Sequence, residues 1–246
     1  MSDGIWAALS GAVAQQRSLD VTANNVANAN TAGFRADRLV FEQALSQAGT
    51  DGPAPDAVRF VETAEMVTDH RAGALQQTGN PLDLALEGDG WFSVQTPSGE
   101  RFTRAGAFVT NADGLIVTAD GHPLLGVQEG DGPPPTLRLP PDASSIRVAD
   151  DGTVYANERP IGRIRLTRFS EQPRKEGLTL YVGGQGAEPA DARVRQGYLE
   201  MANVNAVAGM NELITVTRSF EAFQKVIDTF QALDERTARD LGARGR

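Results

Sequence analysis

The sequence contains no cysteine, and its only histidines are His70 and His122. The absence of cysteine excludes disulfide bridges and thiolate metal ligands. Two histidines that lie far apart along the chain are a weak signal for zinc, because a zinc site needs three or four nitrogen, sulfur or oxygen ligands held together. We therefore predict that the protein holds no metal ion and no cofactor.

The sequence also lacks the patterns of membrane-spanning and nucleic-acid-binding proteins. No segment approaches about 18 consecutive apolar residues, so no transmembrane helix is predicted. Residues Met1–Trp6 carry no basic stretch followed by a compact apolar run, so we do not expect a cleaved secretory signal. The net charge is −9, whereas proteins that grip nucleic acids have basic surfaces. We predict no membrane span and no nucleic-acid partner.

Carboxylates are plentiful, but no catalytic pair stands out among them. Asp83 and Glu87 alternate with leucines, which predicts that both side chains point outward from a strand. Asp89 stands between two glycines, where a turn is predicted. Acid and base catalysts have to converge on one reacting bond, and outward strand and turn positions do not converge. No nucleophile-elbow pattern accompanies the serines either, so we predict that the protein is not an enzyme.

Residues 3–29 follow the seven-residue period of a helix that packs along one face. Apolar or small side chains recur with alternating spacings of four and three, which is typical of a heptad seam. Ser2 or Asp3 can cap the helix start, because their side-chain oxygens accept free backbone N–H groups. With Gln16 and Ala23 completing the spacing, the apolar seam residues are Ile5, Leu9, Ala12, Leu19 and Val26.

Residues 205–241 show a second heptad seam with bulkier side chains. Asn203 or Asn205 is placed to cap this helix. A helix of this length spans roughly 55 Å, which is more than a single small domain needs. Its seam residues are Leu213, Val216, Phe220, Phe223, Ile227 and Phe230.

The two seams lie at opposite ends of the chain, so we expect the helices to come together as a coiled-coil-like pair. Val13 and Val21 lie off the first seam, and Met210 and Ile214 lie off the second. All four are apolar, and a simple helix pair would leave them uncovered. Periodicity alone fits two interpretations. Either the pair packs on its own β domain, or neighbouring subunits cover the outer faces of the helices.

The central region, residues 74–195, is predicted to be antiparallel β structure. Short apolar or alternating runs are separated by turn dipeptides such as Asp113-Gly114 and Asp151-Gly152. An antiparallel barrel or a sandwich accounts for many short strands of this kind. Before this region, residues 40–70 show no single period, and Asp51-Gly52-Pro53 predicts a turn.

These patterns predict a mixed α and β protein. Long N- and C-terminal helices pair as a coiled-coil-like domain, and a central antiparallel all-β domain lies between them in the sequence. The predicted boundaries are residues 1–69 for the N-terminal helix and its connecting segment, 70–195 for the β domain, and 196–246 for the C-terminal helix, which packs with the N-terminal helix.

Three blocks of the sequence stand out in a fixed order. The first runs Asn24-Asn25-Val26-Ala27-Asn28-Ala29-Asn30-Thr31-Ala32-Gly33-Phe34, and the others cover residues 73–92 and 197–205. The first block resembles NNxANxxTxGF, the N-terminal signature of the flagellar rod and hook family of axial proteins. The second resembles the opening of the family's β domain, and the third resembles its lead into the C-terminal helix, with Ala202 where serine is more usual. The matching signature residues are Asn24, Asn25, Ala27, Asn28, Thr31, Gly33 and Phe34.

The resemblance implies a structural subunit of the flagellar basal-body rod, without catalytic activity. In this family the paired terminal helices form the axial domain that lines the inner tube of a helical polymer, and the β domain faces outward. The implied partners are other copies of the chain, other rod proteins including those of the distal rod, and the flagellar type III export apparatus. The implied location is the rod in the periplasmic space, which the protein reaches without a cleaved signal and where it passes motor torque to the hook.

Within this family, the chain length and the compact β region are most similar to the proximal rod proteins, and the distal rod proteins are the nearest alternative. Hook proteins carry an additional outer domain, and the smaller rod proteins lack the full β module. From the residues alone, a secreted β-domain enzyme or binding module with helical oligomerisation ends stays open. Exposed aromatic platforms or converging carboxylates would favour that alternative.

The predicted seam can be tested with Phe220→Asp or Ile227→Asp. An unpaired carboxylate on a buried seam costs on the order of several kcal/mol, so we expect neither variant to enter basal bodies while the β domain keeps its fold. Immunoblots of purified basal bodies measure incorporation, and far-UV circular dichroism of the purified protein measures folding. A variant that still builds rods would contradict burial of this face.

Overall fold

The computed structural model describes residues 2–44, 60–128, 132 and 134–244. The chain divides into two compact units. The first unit consists of Met1–Ala27, Asp37–Asp69 and Asn205–Arg246, and the second consists of Asn28–Ala36 and His70–Val204. Both chain ends therefore belong to one unit, and each unit is assembled from segments that are far apart in sequence.

The first unit contains two long helices and a two-stranded antiparallel sheet. The strands pair from Asp37 opposite Thr68 to Ala44 opposite Phe60, with a register shift after Glu42. The elements are α1 (Ser2–Ala27), β1 (Asp37–Ala44), β2 (Phe60–Thr68) and α2 (Ala206–Arg244). The two helices contact each other, and α1 also contacts both strands.

A side-chain cap marks the start of α2. The Oδ1 atom of Asn205 accepts a hydrogen bond from the backbone N–H of Ala208 at 3.0 Å, which satisfies one of the free donors in the first turn. Of the two asparagines predicted as caps, Asn205 therefore performs this role. Asn203 instead binds backbone within the second unit, where its Oδ1 accepts from Ala36 and its Nδ2 donates to the carbonyl of Arg71.

The described residues of the second unit form short antiparallel strands. The strands are β3 (Leu75–Gln77), β4 (Leu84–Glu87), β5 (Trp91–Thr96), β6 (Gly99–Thr103), β7 (Phe108–Thr110), β8 (Ile116–Thr118), β9 (Ile146–Val148), β10 (Thr153–Ala156), β11 (Arg159–Arg163), β12 (Leu166–Arg168), β13 (Arg174–Glu176), β14 (Leu180–Val182), β15 (Glu188–Pro189), β16 (Arg193–Gln196) and β17 (Tyr198–Glu200). The largest sheet has six strands in the order β13-β14-β6-β5-β12-β15, and a second has the order β11-β10-β9. The pairs β16-β4, β17-β3 and β7-β8 form two-stranded sheets.

Two apolar clusters form the core of the second unit. The larger cluster includes Phe92 and Phe108, whose rings meet edge to face with centroids 5.2 Å apart. The smaller cluster is aromatic and contains Trp91, Phe102 and Tyr181. Burial of large aromatic and aliphatic side chains is the main stabilising contribution in a domain of short strands. The second unit therefore has a substantial core of its own.

The predicted mixed architecture is confirmed as a helix near each chain end with antiparallel strands between them. The sequence did not predict β1 and β2, because residues 40–70 lack a clear two-residue period. The turn predicted at Asp51-Gly52-Pro53 lies outside the described residues. The predicted boundaries treat each region as one continuous segment, whereas the second unit also contains residues 28–36 and 196–204.

The turn between β10 and β11 offers a stability test. Asn157 and Glu158 both have left-handed backbone conformations, with φ values of 49° and 65°. A two-residue hairpin turn of this kind favours asparagine followed by glycine, because a Cβ atom is disfavoured at positive φ. We expect Glu158→Gly to stabilise the second unit by about 1 kcal/mol, because the left-handed conformation is unfavourable for a residue with a Cβ atom. Urea unfolding measures the change. Glu158→Ala retains the Cβ atom and serves as the control, and equal stability of the two variants would contradict this account.

Candidate assembly interface

The six predicted seam residues of α2 lie on its less exposed side. Val216 is buried, and the other five are half-buried. Most of the intervening side chains, such as Glu212, Glu221 and Asp228, are exposed. The burial pattern of α2 thus follows the heptad spacing.

The buried side of α1 is occupied by small residues. Ala12 is buried, and Ile5, Leu19 and Val26 are half-buried, in line with the heptad spacing. Leu9 differs, because it is 41% exposed while the neighbouring Ala8 is only 6% exposed. Thr22 is likewise buried, so the seam passes through Ala8 and Thr22 in place of Leu9 and Ala23. Spacings of three and four residues allow either Ala8 or Leu9 to lie on the buried side of α1. The bulky seam side chains of α2 leave room for small side chains opposite them and so favour Ala8.

Glycines of each helix face large side chains of the other. A Cβ atom added at Gly11 would stand 2.6 Å from Cε1 of Phe223, and one added at Gly4 would stand 3.0 Å from Cζ of Phe230. At the other end of the pair, a Cβ atom at Gly209 would stand 2.6 Å from Val26. These contacts run in opposite directions along α1 and α2, and the two phenylalanine contacts are one heptad apart on both helices. The helices are therefore antiparallel and in close contact.

Asn25 of the signature block holds the start of β1. Its Nδ2 donates to the carbonyl of Asp37 at 2.7 Å, and its Oδ1 accepts from the Asp37 backbone N–H at 2.9 Å. The carboxylate of Asp37 in turn accepts a hydrogen bond from Thr68 at 2.8 Å. A single asparagine thereby satisfies both backbone groups of one strand residue. Asn24 and Ala27 occupy exposed positions near the end of α1.

The rest of the signature block belongs to the second unit. Thr31 Oγ1 donates to Asn28 Oδ1 at 3.2 Å and closes a local turn. Gly33 has a φ of +70°, and a Cβ atom there would stand 2.2 Å from the backbone nitrogen of Ala105. Only glycine combines this conformation with so close a backbone approach. Since α1 already ends at Ala27, the need for glycine at position 33 comes from packing against another segment.

Phe34 anchors the same segment in the second unit. Its side chain is fully buried, and the Nζ atom of Lys175 lies 4.1 Å from the centre of its ring. Lys175 also donates to the carbonyl of Arg35 at 2.7 Å. The cation–π contact and the hydrogen bond hold two consecutive residues with one side chain.

A buried charge cluster of Arg35, Arg104 and Glu200 was not found from the sequence. Arg35 and Glu200 are each 1% exposed and form an ion pair of 2.5 Å. Arg104 is 7% exposed and donates to the second oxygen of Glu200 at 3.2 Å. In the sequence, the only indication of this cluster was that charged residues lie beside or inside the blocks that resemble the family. Arg35 directly follows Phe34, and Glu200 lies between Leu199 and Met201.

Glu200 connects its own strand to three other segments of the second unit. Its carboxylate accepts from the backbone N–H of Gly73 at 3.0 Å in addition to the two arginines. Its own carbonyl accepts from the N–H of Gly33 at 2.7 Å. Burial lowers the pKa of Arg104 below its ordinary value, and the Glu200 carboxylate acts in the opposite direction. Removal of this carboxylate would therefore leave two buried cations without their shared counter-ion.

The carboxylates considered as a catalytic pair have separate partners. Asp83 was predicted to point outward, and this prediction was wrong: it is 8% exposed and accepts from Thr78 at 2.6 Å and from Asn80 at 3.0 Å. Glu87 is exposed and pairs with Arg195 at 3.0 Å. Asp89 is exposed at the edge of a polar cleft of about 440 Å³ that Arg35, Arg104 and Trp91 also line.

Within residues 2–44, 60–128, 132 and 134–244, no three histidine, cysteine or carboxylate side chains are grouped so that they could hold a metal ion. Over the same residues, neither helix combines the length and the apolar character that crossing a bilayer requires.

Three protein families match successive parts of the chain. Residues 5–35 match the flagella basal body rod protein family, residues 85–156 match the flagellar hook protein FlgE/F/G D1 domain, and residues 195–240 match the C-terminal domain of the flagellar basal body rod FlgEFG proteins. These matches cover α1 with the signature block, much of the second unit, and most of α2.

Curated relatives are similar over nearly the whole chain. The flagellar basal-body rod protein FlgF of Mesorhizobium japonicum is 34% identical over 99% of this chain and 100% of its own length. FlgF of Caulobacter vibrioides is 35% identical over 98% of this chain and 99% of its own length. The flagellar basal-body rod protein FlgG of Bacillus subtilis is 31% identical over 93% of this chain and 95% of its own length.

The charge cluster can be tested with Glu200→Gln. We expect the second unit to lose about 3–5 kcal/mol of unfolding free energy, because two buried guanidinium groups would lose their counter-ion. Urea unfolding followed by Trp91 fluorescence in a Trp6→Phe background measures the change. Glu87→Gln breaks an exposed ion pair and is the control, for which we expect little change. Equal effects of the two substitutions would contradict a special role for Glu200.

Proposed function

Since this chain belongs to the flagellar basal-body rod protein family, we propose that it is a structural subunit of the proximal rod. The observation that carries the proposal is similarity to FlgF rod proteins over 98–99% of this chain, with both helices and the β region included. As such a subunit, it polymerises with other rod proteins into the shaft that transmits motor torque to the hook in flagellum-dependent motility.

In this proposal, α1 and α2 form a coiled-coil-like axial domain, and residues 70–195 form the outer β domain. The antiparallel contacts of Gly11 with Phe223 and of Gly209 with Val26 support pairing of the two helices. Neighbouring subunits cover the outer faces of the pair. The seam residues from Ile5 to Val26 and from Leu213 to Phe230 then build the assembly interface together with these outer faces.

The thin core of the first unit supports assembly-dependent folding. Only five of its described side chains are buried: Ala8, Ala12, Thr22, Asp37 and Val216. Two helices with so little buried surface gain little from their mutual packing, because most helical stability in proteins comes from tertiary contacts. Contacts with neighbouring subunits would supply the missing burial, so the helices become fully stable only within the rod.

The signature block and the charge cluster serve rigidity in this proposal. A shaft that carries torque needs rigid chain segments at the positions where the chain passes between the helical unit and the β unit. Asn25 binds β1 in the first unit, while Gly33, Phe34 and Arg35 are fixed in the second unit. These contacts fix residues that lie just before the two points, after Ala27 and after Ala36, where the chain passes from one unit to the other.

The same family membership supports further proposals about location and chemistry. The subunit passes through the flagellar type III export apparatus without a cleaved signal and occupies the rod within the periplasmic space. It performs no catalysis, in keeping with the rod proteins to which it is similar. A position in the distal rod is the second candidate, since the chain is also 31% identical to a FlgG rod protein.

The test is an in-frame deletion of the gene in its own bacterium, scored for swimming and for basal-body structure by electron microscopy. We expect a non-motile strain with membrane rings but no completed rod or hook, restored by the gene in trans. Gold labelling of an epitope-tagged copy then distinguishes proximal from distal positions along isolated rods. Normal swimming with intact basal bodies in the deletion strain would overturn the proposed function.

A further inference from the structure

A polar cleft of about 440 Å³ lies within the second unit, since all of its lining residues belong to residues 28–36 and 70–204. Clefts that hold small molecules in proteins usually have volumes of roughly 300–1,000 Å³. The buried lining residues include Arg35, Trp91 and Arg104. Asp89 and Glu188 are exposed at the edge. The cleft is therefore large enough for a small molecule and has two buried cations along its inner side.

The guanidinium groups of Arg35 and Arg104 carry more hydrogen-bond donors than Glu200 and Gly88 use. Glu200 accepts from both groups, and the carbonyl of Gly88 accepts from Arg104 at 2.8 Å. Nε and Nη1 of Arg35 and Nε of Arg104 are buried, and none of these three atoms has a hydrogen-bond partner among the residues that the structure describes. Buried N–H groups are nearly always paired in proteins, so this set indicates that the cleft receives an acceptor from outside the chain.

The buried charges beside the cleft are not balanced. Two guanidinium groups share the single carboxylate of Glu200. Burial lowers the pKa of Arg104, and Glu200 opposes this change, whereas the charge of Arg35 adds to it. Asp89 at the edge is exposed, so water and salt screen its charge. One buried positive charge is therefore left for an anion to neutralise.

The cleft wall next to these charges is aromatic. Trp91 and Phe169 both line it, and the guanidinium carbon of Arg104 lies 5.4 Å from the centre of the Trp91 ring. Arg168 and Glu188, which also line the cleft, form an exposed ion pair of 2.5 Å and so add no net charge. These surroundings suit a ligand that carries one negative charge beside an apolar body.

We propose that the cleft binds a small organic carboxylate. The carboxylate accepts hydrogen bonds from Arg35 and Arg104, and the apolar part of the ligand lies against Trp91 and Phe169. Carboxylate oxygens match the planar donors of a guanidinium group, and one carboxylate supplies the single charge that the cluster lacks. A phosphate group is disfavoured, because it would bring up to about two negative charges at pH 7 next to the carboxylates at the edge. This binding function is separate from the rod function proposed above.

Trp91 reports on occupancy of the cleft when the full chain carries Trp6→Phe, which removes the only other tryptophan. The purified protein is titrated at pH 7 and constant ionic strength with sodium valerate, sodium acetate and inorganic phosphate. We expect a saturable change in Trp91 fluorescence with valerate, and isothermal titration calorimetry should give the same Kd. Acetate should bind at least about tenfold more weakly, because each buried CH₂ group contributes on the order of fourfold in affinity. Phosphate should also bind more weakly than valerate.

Charge variants test the electrostatic part of the proposal. Asp89→Asn removes a negative charge that repels the ligand at the edge, so valerate should bind roughly two- to fivefold more tightly, the range expected for a screened surface charge. Asp113→Asn makes the same change at an exposed turn outside the cleft and should leave the Kd unchanged. Arg104→Gln should weaken binding by at least about tenfold, because it removes a charged donor. Should that variant unfold the second unit, the comparison of Asp89→Asn with Asp113→Asn decides.

The outcomes separate this site from the rod function. The proposed site is wrong if valerate gives no saturable response by fluorescence or calorimetry, or if acetate and phosphate bind as tightly as valerate. Equal Kd values for Asp89→Asn and Asp113→Asn would also overturn it. Because these measurements use the purified chain, a failure to bind valerate leaves the rod function standing, and a normally swimming deletion strain leaves the binding site standing.

Discussion

The arrangement of the second unit depends on the ion pairs and hydrogen bonds made by the buried carboxylate of Glu200. It bridges Arg35 and Arg104, accepts from the backbone of Gly73, and its residue's carbonyl accepts from Gly33. These partners come from three segments of the chain, at residues 33–35, 73 and 104. An ion cluster of this kind contributes less to stability than its contacts suggest, because desolvating three charges is costly. The cluster instead favours one arrangement of these segments, because an arrangement that separated the charges would leave a buried charge unpaired.

The cluster lies close to the points where the chain passes between the two units. Arg35 stands two residues before β1, and Glu200 precedes α2 by only a few residues. The segments that lead into the first unit are thus fixed at their starting points in the second. Asn25 lies in the first unit, just before the chain passes into the second. It binds both backbone groups of Asp37, the residue at which the chain returns to the first unit.

The two units differ in how they reach stability. The second unit buries two apolar clusters and is complete by itself in this respect. The helices of the first unit approach closely through Gly4 and Gly11, yet leave Trp6, Val207 and other large apolar side chains exposed. Large exposed apolar side chains on a weakly packed pair are a liability for a monomer. Assembly with other rod proteins, which membership of the family implies, would cover such side chains.

Much of the helical part of this protein could be predicted from the sequence, because seven-residue periods are local and each seam residue repeats the same signal. The helices at residues 2–27 and 206–244 lie within a few residues of their predicted ranges. The signature block likewise indicated the family, because its residues are contiguous and their order alone carries the resemblance. The strands were predicted less completely, since β1 and β2 lie where no clear alternation exists.

Three features were decided only by the tertiary structure. The choice between Ala8 and Leu9 depends on which side chains of α2 face them, and local spacing permits both. Asp83 is buried because Thr78 and Asn80 supply donors to it, which alternation with leucines does not reveal. The cluster of Arg35, Arg104 and Glu200 joins residues from distant segments, and a pattern along the chain carries no information about charges that meet only after folding. The sequence by itself therefore determined the helices and the family, whereas long-range packing decided which side chains are buried and which charges pair.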